Sequence, residues 1–279
     1  MCQACTKRRL LTKESFTPDE ERAFDWLLAQ YRDALDAPER EITEFVQQAD
    51  ADDLASLQSI RAELEPRIGQ YQAEFETVFR EGGERGAQAG RAVAARRNGL
   101  SINFQVVPER TLAEIDEWVG TAAGSTLETI TEDATRWLRG AHEEGLSIPD
   151  IRDRLNDELY DGRLEDYVAE RAARTATMST SRAGDHSAHE DAEGVVAERW
   201  VSELRDNTRE SHEEAHGQVV AVDQSFDVDG VWMAHPGDPS APVGELANCL
   251  CRAEPLFEDQ LTADQLEAIR NGERIYIEP

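Results

Sequence analysis

Two short stretches near the end of the chain carry residue types that do chemistry. His212-Glu213-Glu214-Ala215-His216 matches H-E-x-x-H. On a helix that spacing puts two imidazoles one turn apart on one face, with the Glu able to act on a metal-bound water, as in zinc hydrolases. Cys249-Leu250-Cys251 is a C-x-C pair, and Cys2-Gln3-Ala4-Cys5 is a C-x-x-C pair. A structural zinc ion on Cys249 and Cys251, with His212 or His216 as a further ligand, is one use for these groups. A packed surface of small thiols is the other. If residues 249–257 form a strand, both thiols share one face. That strand is then expected against the His212 helix, bringing Cys249 or Cys251 near His212. A mutual disulfide at this spacing is sterically uncomfortable.

The H-E-x-x-H match has a weak setting. Gly217 follows the second His at once, Glu214 places a charge where a buried metal helix wants an apolar residue, and the chain continues Gln218-Val219-Val220 with no third ligand. No phosphate-binding glycine loop and no nucleophile elbow accompany it. No catalytic residue is therefore assigned.

The elements that must position these groups read as mainly α, with a long helical N-terminal region and a small C-terminal α+β domain. Thr17-Pro18-Asp19-Glu20-Glu21 combines an N-cap, a first-turn proline and first-turn acids. Phe24, Leu27, Leu28, Tyr31 and Leu35 follow at helical spacing. An amphipathic stripe runs from Leu54 to Phe79, with Pro66 expected to kink it or end its first half. Further helical patterns cover residues 108–119, 125–144, 148–160 and 164–187, punctuated by Gly120, Gly124, Gly140, Gly145 and Gly162. Beyond about residue 194 the pattern turns to short strands at 195–204, 218–226, 231–233, 249–257 and 275–277, with a turn at Asp229-Gly230 and a capped helix at 262–271. The expected division is residues 1–190 as the helical region and 191–279 as the α+β domain.

Composition narrows the setting. The 279 residues hold 29 Lys+Arg against 58 Asp+Glu, a net charge of −29. Carboxylates are dispersed along the chain, and Lys7 and Lys13 are the only lysines. Such a charge strains a fold in ordinary buffer, but in molar salt the Debye length falls to about 3 Å and the repulsion is screened. A halophilic origin is expected. No apolar run is long enough for a transmembrane helix, so no membrane partner is expected. The first residues are basic without the apolar core of a secretory signal.

Against this acidity, one stretch is basic. Arg85, Arg91, Arg96, Arg97 and Arg110 stand among Gly82, Gly83, Gly86, Gly90 and several alanines, with Glu109 as the only acid between Arg85 and Arg110. It could meet phosphate or an acidic protein partner, or answer the chain's own acid surface. The glycines could let helix backbones or a partner approach closely.

The C-terminal region resembles the phage Mu F-like head-morphogenesis family, the minor capsid proteins of tailed viruses. The resemblance rests on Trp200, Asp206, Thr208-Arg209, His212, Gly217 and Val220, then Pro236-Gly237-Asp238-Pro239, Pro242 and Asn248-Cys249-Leu250-Cys251. Arg171 and Arg174-Thr175 resemble the family's lead-in helix. Asn207, Ala176 and Leu250 depart from its usual basic, acidic and arginine positions. The resemblance implies a low-copy structural protein of the virion, at the portal vertex or capsid interior and in the host cytoplasm during assembly. Its implied partners are the portal protein, the major capsid protein and packaged DNA, in head assembly and in DNA packaging and ejection. The residues themselves read as scaffold: Asp206 and Thr208 as caps of the His212 helix, Gly217 as its left-handed end, Pro236–Pro239 as a stiff crossing. The alternative reading is a zinc-dependent hydrolase on His212, Glu213 and His216.

Overall fold

The computed structural model describes residues 16–50, 52–206, 208–246 and 249–278, with backbone alone at 162, 166 and 243. Cys2, Cys5, Asn207 and Asn248 lie outside the described residues. The protein is mainly α, with long N-terminal helices and a small C-terminal α+β region, as the sequence predicts.

Helix α1 (Pro18–Gln48) starts where the cap was expected: Thr17 Oγ1 accepts from the Glu20 amide while Glu20 accepts from the Thr17 amide at 2.9 Å. The Leu54–Phe79 stripe is two helices, α2 (Leu57–Gly69), capped by Ser56, and α3 (Gln72–Asn98). Pro66 is passed without a break, and the chain turns only at Gln70–Tyr71. The two patterns at 108–119 and 125–144 are one helix, α4 (Glu109–Glu143), running straight through Gly120 and Gly124. Those glycines do not break it, since an interior glycine costs a helix only about 1 kcal/mol; the Gln72 side chain donates to the Gly120 carbonyl at 3.0 Å. Gly145, at φ +78°, does end the run. From α5 (Ile148–Arg154) a wide π-helical stretch, Leu155–Ala169, leads without interruption into α6 (Glu170–Asp191).

The boundary expected at residue 190 is replaced by a discontinuous division. Of the described residues, those within 16–23, 83–112 and 177–278 build one compact unit, and those within 24–82 and 113–176 build the other. Periodicity shows that a helix is amphipathic but not that its partner changes along its length. In the second unit Tyr31 meets Phe75 and Phe79 edge-on at 5.4 and 6.0 Å, and Phe79 meets Trp118 at 5.7 Å.

In the first unit the later half of α3 packs on α6 through the glycines. A Cβ at Gly90 would fall 1.8 Å from the Ser181 carbonyl oxygen, and one at Gly184 would fall 2.0 Å from that of Ala87. The close approach expected of Gly86 and Gly90 is therefore made by α6.

The same unit holds an antiparallel sheet of order β5-β1-β2-β6, from β1 (Val195–Val201), β2 (Gln218–Ala221), β5 (Arg252–Phe257) and β6 (Ile275–Tyr276). A separate hairpin, β3 (Phe226–Val228) and β4 (Val231–Met233), turns on Asp229 and Gly230, both at positive φ. Short helices α7 (Glu210–Glu214), α8 (Val243–Leu246) and α9 (Ala263–Arg270), the last capped by Thr262, complete it. Trp200, Phe226 and Met233 form the core over one face, with Cys249 and Cys251 in it; Ala197, Val219 and Ile269 form the other.

Candidate metal centre

His212 and the C-x-C pair converge. His212 Nδ1 lies 3.2 Å from Cys251 Sγ and 3.6 Å from Cys249 Sγ, and the three ligand atoms lie within 4.8 Å of one another. All three side chains are buried. The thiols are not paired on a strand, as the spacing led one to expect, because β5 begins only at Arg252. They are set by the irregular approach to β5, where the Arg182 guanidinium donates to the Cys251 carbonyl at 3.0 Å. The alternate residues, Leu250 between the thiols and Arg252 after them, line a cleft.

The far side of the imidazole is committed. Glu245 on α8 accepts from His212 Nε2–H at 2.8 Å, leaving Nδ1 toward the sulfurs. Ser202 closes the cage: its Oγ accepts from the Trp200 indole at 3.1 Å, donates to the His212 carbonyl, and lies 3.5 Å from Cys251 Sγ. The Trp200 ring stands edge-on to the His212 ring at 5.6 Å. The hydrogen bond with Cys249 holds the Cys251 thiol down to about 5, helped against burial by His212, and the same pairing pushes Cys249 well up. Burial opposes charge on His212, but its bonds to Cys251 and Glu245 outweigh burial and raise its pKa.

The H-E-x-x-H residues do not assemble. Helix α7 spans five residues, Glu213 is exposed, and His216 Nδ1 accepts from the Ser202 amide at 3.0 Å, outside the triad. Gly217, at φ +80°, ends the turn as expected and donates to the Trp200 carbonyl at 2.9 Å. The expected caps are corrected. Arg209 occupies the N-cap position but its side chain does not cap the helix, Asp206 is exposed, and the Thr208 hydroxyl instead accepts from the Arg205 amide at 2.8 Å. Pro236–Pro239 forms a largely buried turn braced from within. Asp238 accepts from the Ala234 and Ser240 amides at 2.7 and 2.8 Å, and Gly237, at φ +77°, lies against Ser179 of α6.

The basic stretch is largely consumed internally. Arg91 is buried and bonds Asp191 at 2.8 Å, Ser187 at 2.9 Å and the Asn103 carbonyl at 3.2 Å, so it is corrected from a surface contact to a structural ion pair. Arg96 pairs with Asp19, and Arg110 with Glu190 and Asp191. Arg85 and Arg97 are exposed. Arg97 reaches a cleft of about 380 Å³ with Arg182, Arg205 and Arg252, against Glu20 and Glu203.

Sequence reasoning missed Glu245, Ser202 and the anchors on α6. Nothing local marks Glu245 or Ser202. His186 and His189 were legible in principle: their i,i+3 spacing shares one helix face, and Glu198 interrupts an apolar strand.

Fold and site define a class: a mainly helical protein whose C-terminal α+β region carries a buried Cys-Cys-His cluster, a grouping suited to a metal. Among curated proteins, the chain is similar to the uncharacterized YqbB of Bacillus subtilis (strain 168), at 28% identity over 167 residues. The match covers 57% of this chain and 53% of YqbB, so the chain spans about half the length of that relative. No family model matches, and no solved structure matches. No described helix is long and apolar enough to cross a membrane.

Proposed function

We propose that this chain is a structural minor head protein of a tailed virus of a halophilic host, seated at the portal vertex or capsid interior. One observation carries the reading. Several of the residues on which the Mu F-like resemblance rests are interlocked: Trp200, Cys249 and Cys251 share one core, His212 bonds Cys251 and stands edge-on to Trp200, and Gly217 donates to the Trp200 carbonyl. Asp238 bonds within the crossing loop, accepting from the Ala234 amide, and the neighbouring Gly237 lies against Ser179 of α6. Residues placed to hold one another are scaffold rather than machinery. The hydrolase alternative draws no such support, since Glu213 points to solvent and His216 is bonded elsewhere. Zinc is the ion we assign to the triad, as a staple of this scaffold. Of Arg85, Arg91, Arg96 and Arg97, the candidates for contact with the portal or packaged DNA, we assign that contact to the exposed Arg85 and Arg97, since Arg91 and Arg96 pair with Asp191 and Asp19.

Fractionation and mass spectrometry of purified virions test the reading. The protein should be present at far lower copy number than the major capsid protein and should stay with portal-containing heads. A protein found only in host cytosol and absent from particles would sink it.

A further inference from the structure

The geometry points to a zinc site built from His212 Nδ1, Cys249 Sγ and Cys251 Sγ, with Glu245 as the positioning residue that orients the imidazole. It does not rest on the virion reading. Zinc bonds sulfur at about 2.3 Å and imidazole nitrogen at about 2.0–2.1 Å. In a tetrahedron those lengths put nitrogen about 3.6 Å from each sulfur and the sulfurs about 3.8 Å apart. The nitrogen already lies 3.2 and 3.6 Å from the two sulfurs, within a few tenths of an ångström of those values, and all three atoms lie within 4.8 Å of one another.

The donor set selects the metal. Two thiolates and an imidazole suit zinc and exclude magnesium and calcium, which take oxygen. The carboxylate–imidazole bond from Glu245 at 2.8 Å is what a metal-binding His needs, because it fixes the tautomer and aims the other nitrogen. Any buried imidazole takes such a partner, so this bond fixes the tautomer without by itself naming a metal. An imidazole nitrogen and two sulfurs brought together in a buried site present three lone-pair donors to one point.

The consequence is a staple. His212 and Cys249 are 37 residues apart, and the ion closes that loop. The loop carries β2, the β3–β4 hairpin, the Pro236–Pro239 crossing and α8. These elements are short, so metal binding free energy becomes folding free energy for this region.

Full-length protein purified in high salt is stripped with a chelator, reloaded with zinc or cobalt(II), and assayed by elemental analysis and absorption. About one zinc per chain is expected at this site, with a thiolate-to-cobalt charge-transfer band. A chain whose Cys2 and Cys5 are both replaced by Ser should keep the ion and the band; Cys251→Ser and His212→Ala should lose them; His216→Ala should keep them. Where the ligand variants fail to fold, the Cys2/Cys5 double variant decides alone, since Cys249 and Cys251 are then the only thiols. Zinc and band lost from that double variant, or cobalt bound to it without a charge-transfer band, would overturn the proposal.

Discussion

Glu198 on β1 and His189 on α6 share a hydrogen bond of 2.5 Å between carboxylate and Nδ1, and both side chains are fully buried. The other carboxylate oxygen meets His186 Nδ1 at 2.8 Å. One strand carboxylate thus clamps two imidazoles of the helix packed above it. Arg182, one turn before His186 on α6, holds the Cys251 carbonyl, so the clamp also aligns the helix that supports the His212–Cys249–Cys251 cluster.

This clamp predicts a pH window. Burial works against the Glu198 charge, yet the His186 and His189 imidazoles outweigh it and hold its pKa down to about 2. Burial likewise opposes charge on His189, but Glu198 raises its pKa above the usual histidine value. The Glu198 contribution is complete above about 4.5 and lost as pH falls toward 2. The His189 contribution is complete below about 6.5 and lost as pH rises through its raised value. Glu198→Gln should therefore destabilise most between about pH 4.5 and 6.5, by roughly 3–5 kcal/mol for a broken buried pair. Denaturation at pH 5.5 and pH 9 measures it; a penalty equal at both would contradict the ion pair.

The helix contact predicts opposite signs for two glycines. Gly90→Ala thrusts a Cβ against the Ser181 backbone and should cost about 1–3 kcal/mol. Gly140→Ala, also inside a helix, meets nothing within 4 Å and should stabilise by about 0.4–1 kcal/mol. Thermal midpoints of the two variants should move in opposite directions.

Charge predicts a salt response. With −29 to screen, the thermal midpoint should rise between 0.1 M and above 1 M potassium chloride. The exposed ion pairs that salt weakens, such as Arg80–Asp116, are each worth little. A midpoint that stays level or drops would speak against halophilic adaptation.

The orientation of His212 separates Glu245 from Glu213. Glu245→Gln should weaken zinc binding about 10–100-fold while leaving the cobalt charge-transfer band in place at saturating metal. Glu213→Gln should change neither zinc affinity nor virion assembly, because its side chain is exposed. Proteolysis by the purified protein that vanished in Glu213→Gln would instead restore the hydrolase reading.

Much of the molecule is legible in one dimension because its causes are local. The Thr17 and Thr262 caps, the Asp229-Gly230 turn and the Gly217 stop each follow from one residue's backbone freedom or hydrogen bonding within a few positions. The apolar stripes of α1 and α3 are read from helical period for the same reason. The convergence of His212 with the C-x-C pair was foreseen from residue chemistry, although the strand meant to carry the thiols begins one residue after them. What local reading cannot supply is the identity of a partner far along the chain. Periodicity could not show that Gly90 meets Ser181, that Arg91 spends its charge on Asp191, or that the boundary near 190 dissolves into two discontinuous units. Likewise nothing near Glu245 marks it as the group that turns one imidazole nitrogen toward two sulfurs. That depends on a contact spanning 33 residues, which only the packed structure decides.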